Sequence, residues 1–300
     1  MKDALDAPGV SVTVDALLAL RHMIAAAPDA VPAMTAMPGG FVTRRRGRGL
    51  EVADLRVFEH GDDIRHIDRN ATARTGIPHV RMFQDERDRT TLLIADFRAP
   101  MLWGTRRALR SVAAAEHLSL AGWRAIAEGG RVGLMAIGTA QPLFVPARGR
   151  DRAMISVVGG LAQAHRAVLE EHRADPSRKP EPLDRFLRMA EQIAPRGTSV
   201  VLASSLDEPG AEWKAAMTAL AHRTALSVLY MRDAFEHLSH DGAYPFQTDS
   251  GRRGLGLIRG RAKGKEEEVV SQLHALDIPV HVIETARAPG EQAVEHGHGE

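Results

Sequence analysis

Four side chains suited to acid-base or metal chemistry stand close together in the first quarter of the chain: Asp62, Asp63, His66 and Asp68. If they converge, such a set can hold a divalent ion and activate water, which gives one reading as a metal-dependent hydrolase. The same stretch is crowded with arginine. Between Thr43 and Arg74 it carries Arg44, Arg45, Arg46, Arg48, Arg56, Arg65, Arg69 and Arg74 among Glu51, Asp54, Glu59, Asp62, Asp63 and Asp68. A planar guanidinium can hold two acceptors at once, so pairing of these acids in a structural network is favoured over catalysis. The run Arg44 to Arg48 could bind phosphate or nucleic acid, but the neighbouring acids favour internal pairing there too.

Elsewhere the chemistry-bearing residues are sparser. Asp96 follows the apolar run Thr91 to Ala95, and a carboxylate at the carboxyl end of a buried strand stands where open α/β sheets place ligands. A capping or ion-paired role is favoured for it over metal ligation. Asp233, Glu236, His237 and His240 show no helical i, i+4 zinc motif with a third ligand and read as a surface loop. His296 and His298 lie in a polar tail. The run Gly251 to Gly256 follows no clear strand, so it is a weak dinucleotide fingerprint, and no phosphate loop or nucleophile elbow occurs. The absence of cysteine removes thiolate nucleophiles, disulfides and Cys-ligated metals.

These residues need elements to position them, and the apolar pattern supplies candidates. Short buried strands are predicted at Thr91–Ala95, Arg131–Ile137, Ser199–Ala203, Ala225–Met231 and Ile278–Ile283, with Gln141–Ala147 as a hairpin partner. Helical spacing falls between them at Thr105–Ala127, Ala153–His172, Leu183–Ile193, Trp213–His222 and Glu266–Leu276, with a further helix at Val12–Ala27 capped by Thr13 or Asp15. Strand–helix alternation of this kind predicts an α/β fold. A chain of 300 residues, 44% hydrophobic, can bury a large core, and a net charge of +1 gives no global basic footprint for nucleic acid. Early acids argue against a secretory leader, and no apolar run reaches about 18 residues, so a cytoplasmic protein without a membrane span is expected.

With these elements in place, the chain resembles the bacterial domain-of-unknown-function family 58. The resemblance rests on Arg46-x-Gly-x-Gly49-x-Glu51, Arg56, Gly61-Asp62-Asp63-x-Arg65-x-Ile67-Asp68, Ala73-Arg74, His79-Val80 and Glu86-Arg87. Val52, Phe58 and Arg69 depart from it where aromatic residues are common. It implies a von Willebrand factor A-like, Rossmann-type sheet flanked by helices, with an N-terminal charged embellishment. The implied divisions are 1–88 for the helix and charged element, 89–285 for the α/β domain and 286–300 for a disordered tail. It also implies a non-enzymatic adaptor that works with a MoxR-type AAA+ ATPase and an unknown client. Arg46, Arg48, Arg56, Asp63, Arg65 and Arg69 are expected on the partner surface, and Glu51, Asp62, Asp68 and Arg74 as internal ties around the Gly61 turn. Full family sites bind Mg²⁺ through Asp-x-Ser-x-Ser, where this chain has Asp96, Arg98 and Pro100, and Ser205 stands where an acid is expected. No bound metal is therefore expected, with Arg98 able to pair with Asp96 in its place.

Overall fold

The computed structural model describes residues 7–26, 52–58, 67–83, 90–238, 242–247, 253–258 and 263–291. They fall in two units, one of Met1–Met37 with Thr90–Glu300 and one of Pro38–Arg89. In chain order the elements are α1 (Val14–Ala19), α2 (Arg21–Ala26), β1 (Val52–Val57), α3 (Arg69–Thr75), β2 (His79–Phe83), β3 (Thr90–Asp96), α4 (Arg110–Ala127), β4 (Arg131–Ile137), β5 (Leu143–Gly149) and α5 (Asp151–Ala174). There follow α6 (Leu183–Ile193), β6 (Ser199–Ser204), α7 (Trp213–Arg223), β7 (Ala225–Arg232), α8 (Ala234–Leu238), β8 (Gly242–Gln247), β9 (Arg253–Ile258), α9 (Lys263–Ala275) and β10 (Val280–Glu284).

The larger unit is built on a six-stranded sheet in the order β10-β7-β6-β3-β4-β5. All neighbours are parallel except β4 and β5. Side chains alternate across a strand, so Leu93 and Ala95 of β3 enter one core with α4 and α5, while Ile94 enters the other with α6 and α7. Both faces are thus covered by helices, which is why these strands are continuous apolar runs in the sequence. The result is a mixed α/β unit around a mostly parallel sheet. Among the described residues no helix is long and apolar enough to cross a membrane.

Several expectations are corrected. The helix expected over Val12–Ala27 is two helices that part at Leu20, the first capped by the Thr13 side chain. The first packs on α4 and α5 and the second on α4, with Trp123 Nε1 donating to Leu17 O at 3.4 Å, so these helices belong to the α/β unit and not to the charged element. The helix expected from Thr105 begins at Arg110, because Thr105 is drawn away to Asp233. Residues from Ala286 to Glu291 are not a disordered tail: Pro289 is buried, Arg287 N donates to Glu284 O, and Glu291 N to Ala288 O, both at 3.1 Å. Positions 292–300, His296 and His298 included, lie outside the described residues. Of the run Gly251–Gly256, Gly254 and Gly256 lie within strand β9, which pairs with β8 and sets Gly256 opposite Tyr244 and Gly254 opposite Phe246, while Gly251 lies outside the described residues. Glycines facing aromatics carry little strand signal by themselves.

The smaller unit holds an antiparallel β1–β2 pair and α3. Phe58 N donates to Pro78 O and Asp68 N to His79 O, each at 2.8 Å, which closes the ends of the pair around Ala71 and Val80.

Candidate functional site

The carboxyl ends of β3, β6, β7 and β10 meet in one polar network, and its centre is Asp96. This carboxylate is 0% exposed and the Arg98 side chain opposite it 1%. Asp96 Oδ1 accepts from Arg98 N at 3.0 Å and from Arg98 Nε at 2.9 Å. Its Oδ2 accepts from Arg98 Nη2 at 2.8 Å and from the Ser204 hydroxyl at 2.6 Å. Four donors thus fill the roughly four lone-pair sites of a carboxylate.

The guanidinium is equally saturated. Besides Asp96, its Nη1 donates to Glu181 O at 3.0 Å and Glu208 O at 2.9 Å, and its Nη2 to Asp207 O at 2.9 Å. All five of its N–H donors are used, and they tie the end of β3 to the segment before α6 and the loop after β6. That loop is strained, since Leu206 and Glu208 hold φ of 52° and 48°, a region that costs a non-glycine residue about 1–2 kcal/mol. Carbonyls held by Arg98 on either side of the kink, with Leu206 N donating to Ser204 Oγ at 3.0 Å, offset that strain.

The network continues through Arg110, which donates to Pro100 O and Asp207 Oδ2, each at 3.1 Å, and to Glu236. Glu236 in turn accepts from Asp233 N at 2.9 Å. Asp233 was expected in a surface loop and is instead 0% exposed. Its carboxylate accepts from Thr105 Oγ1 at 2.5 Å, Phe235 N at 2.9 Å, Thr285 Oγ1 at 3.0 Å and Thr105 N at 3.1 Å. Burial pushes this carboxyl up, but the hydroxyl and amide donors outweigh it and hold the group below its ordinary value. Burial likewise raises the Tyr230 phenol, with Glu236 and Asp207 adding to the effect.

A Mg²⁺ at Asp96 does not fit these residues. Both carboxylate oxygens are committed to a fixed positive charge, and Pro100 offers no side-chain oxygen. Ser205 is buried, its amide donates to Met101 Sδ at 3.2 Å, and its hydroxyl has no partner among the described residues. The arrangement can brace loops at the ligand-facing end of the sheet, with the Asp96 carboxylate fully occupied by its four donors. Sequence reading singled out Asp96, Arg98, Pro100 and Ser205 but missed Thr105, Arg110, Asp207 and Thr285, and it misplaced Asp233. The one available signal was that Asp233, like Asp96, ends a buried strand.

The charged signature is only partly described. Arg46, Arg48, Glu51, Gly61, Asp62, Asp63, Arg65 and His66 lie outside the described residues, as does the side chain of Arg56, whose backbone is in β1. Asp68 caps α3, its Oδ1 accepting from Ala71 N at 2.8 Å, a structural role for one member of the acidic cluster. Arg69 and Arg74 are exposed on α3, which for Arg74 corrects the internal tie expected of it.

The family described as "Protein of unknown function DUF58" matches residues 54–253. The chain belongs to the DUF58 family. Relatives of this DUF58 chain include uncharacterised proteins of Mycobacterium bovis and Mycobacterium tuberculosis, each 30% identical over 201 residues. That alignment covers 62% of this chain and 57% of the relative, so the chain spans little more than half of their length. No solved structure matches.

Proposed function

We propose that this DUF58 chain is a non-enzymatic adaptor with a von Willebrand factor A-like sheet, acting with a MoxR-type AAA+ ATPase in the assembly or maturation of a client protein. The observation that supports the reading is the Asp96–Arg98 clamp. At the end of the sheet where ligands enter such folds, a saturated ion pair braces three backbone segments, which suits a rigid scaffold better than a reaction centre. The ATPase partner rests on the family resemblance, and the exposed Arg69 and Arg74 belong to the signature that carries it.

The test mixes the purified full chain with a MoxR-type ATPase of its own host, nucleotide-free, with ATP, and with a non-hydrolysable analogue. A complex is expected in at least one nucleotide state, with Arg48→Glu weakening it at an unchanged melting temperature. Absence of a complex in every state, together with divalent-dependent ester hydrolysis lost in Asp62→Asn, would replace the adaptor with the hydrolase.

A further inference from the structure

A cavity of about 380 Å³ lies between the start of α1 and the middle of α5, away from the clamp. That volume is within the range of small-molecule sites, and Val12, Val14, Ala162 and Leu169 make its walls largely apolar. One wall residue is His165, 1% exposed. Its Nε2 is 2.9 Å from the Ser111 hydroxyl and Phe97 meets the ring edge-on at 5.1 Å, whereas Nδ1 has no hydrogen-bond partner among the described residues. That nitrogen is not sealed from solvent, so an oxygen entering the cavity can reach it.

The glycine pair in α5 points the same way. Gly160 is required by packing, since a Cβ there would come within 2.9 Å of Val145 Cγ2. Gly159, which lines the cavity, has no such reason: a Cβ would meet nothing within 4 Å. Glycine in a helix interior costs about 1 kcal/mol relative to alanine, so at Gly159 that cost keeps space open and serves no close contact.

We propose that this cavity binds a small amphiphile, an apolar body carrying one carboxylate or carbonyl oxygen. In the tautomer in which the Ser111 hydroxyl donates to Nε2, the neutral His165 ring carries its proton on Nδ1 and offers it to the ligand oxygen. Arg166, exposed and also on the cavity wall, is paired through Nε with Glu170 Oε1 at 3.1 Å, and its Nη donors are those an anionic head group would meet. The inference is independent of the adaptor reading.

The experiment is calorimetric titration of the full chain with octanoate and, separately, with 1-octanol. Octanoate is expected to bind, and more tightly than the alcohol. Gly159→Leu should lose at least about tenfold in octanoate affinity with no fall in melting temperature, because the new side chain fills the space. His165→Leu should weaken octanoate by a similar factor and erase its advantage over octanol. No binding, equal binding to wild type and Gly159→Leu, or a Gly159→Leu chain that cannot fold would each overturn the proposal.

Discussion

At the carboxyl end of β3, Arg98 supplies Asp96 with a covalently tethered cation. Its charge is fixed in amount and position, and its planar fork reaches both oxygens of Asp96 and three backbone carbonyls at once. Removing one partner of a buried pair strands the other, at a cost of about 3–5 kcal/mol. Arg98→Met is therefore expected to lower stability by that amount in urea unfolding. The Asp96→Leu/Arg98→Met double variant should recover only part of it, because the carbonyls of Glu181, Asp207 and Glu208 still lose donors. A loss under about 1 kcal/mol in the single variant would show that the clamp does not brace the loops.

At the scale of elements, α5 shows how closely a helix is fitted to the sheet beneath it. It lies against β4 and β5, and Gly160 allows that approach, with Leu134 Cδ2 and Leu143 Cδ2 each 3.1 Å from where a Cβ would stand. Gly160→Ala gains helix propensity but overpacks this contact, so a net loss of about 1–3 kcal/mol is expected in thermal or urea unfolding. An increase in stability would mean that the helix can shift away from the sheet. The short α3 depends instead on its ends, with Asp68 as its N-cap and Gly76 at φ 74° closing its last turn.

For the whole molecule, the buried histidines set the response to acid. Burial lowers His165 to about 4 and moves His117 in the same direction. Below the ordinary histidine value near 6.5 the unfolded chain takes up a proton that the folded His165 refuses. Its contribution is therefore fully present above about pH 6.5 and is lost as pH falls toward 4, by up to roughly 3 kcal/mol. Asp233, held low, adds a loss that begins only below the unfolded carboxylate value, near 4. Urea midpoints at pH 7, 5.5 and 4.5 should fall in that order, and His165→Gln should flatten the slope. A wild-type midpoint that does not change over this range would contradict the burial of His165.

The sequence by itself determined the strand–helix order of the six-stranded sheet and the two-sided burial of its central strands, because apolar runs such as Leu92 to Ala95 report burial locally. It also carried the family signature and the suspicion at Asp96 and Arg98, whose types stand two positions apart. The division of the chain at the N-terminal helices, the strand hidden among Gly254 and Gly256, and the burial of Asp233 came only from the fold. Thr105, Asp233 and Thr285 are separated by 128 and 52 residues, and no local pattern foretells which hydroxyls will meet a given carboxylate. The cavity beside His165 is likewise a property of how α1 and α5 pack. Long-range pairing decides such features, since their free energy arises from groups that the chain brings together only when the sheet and its helices close.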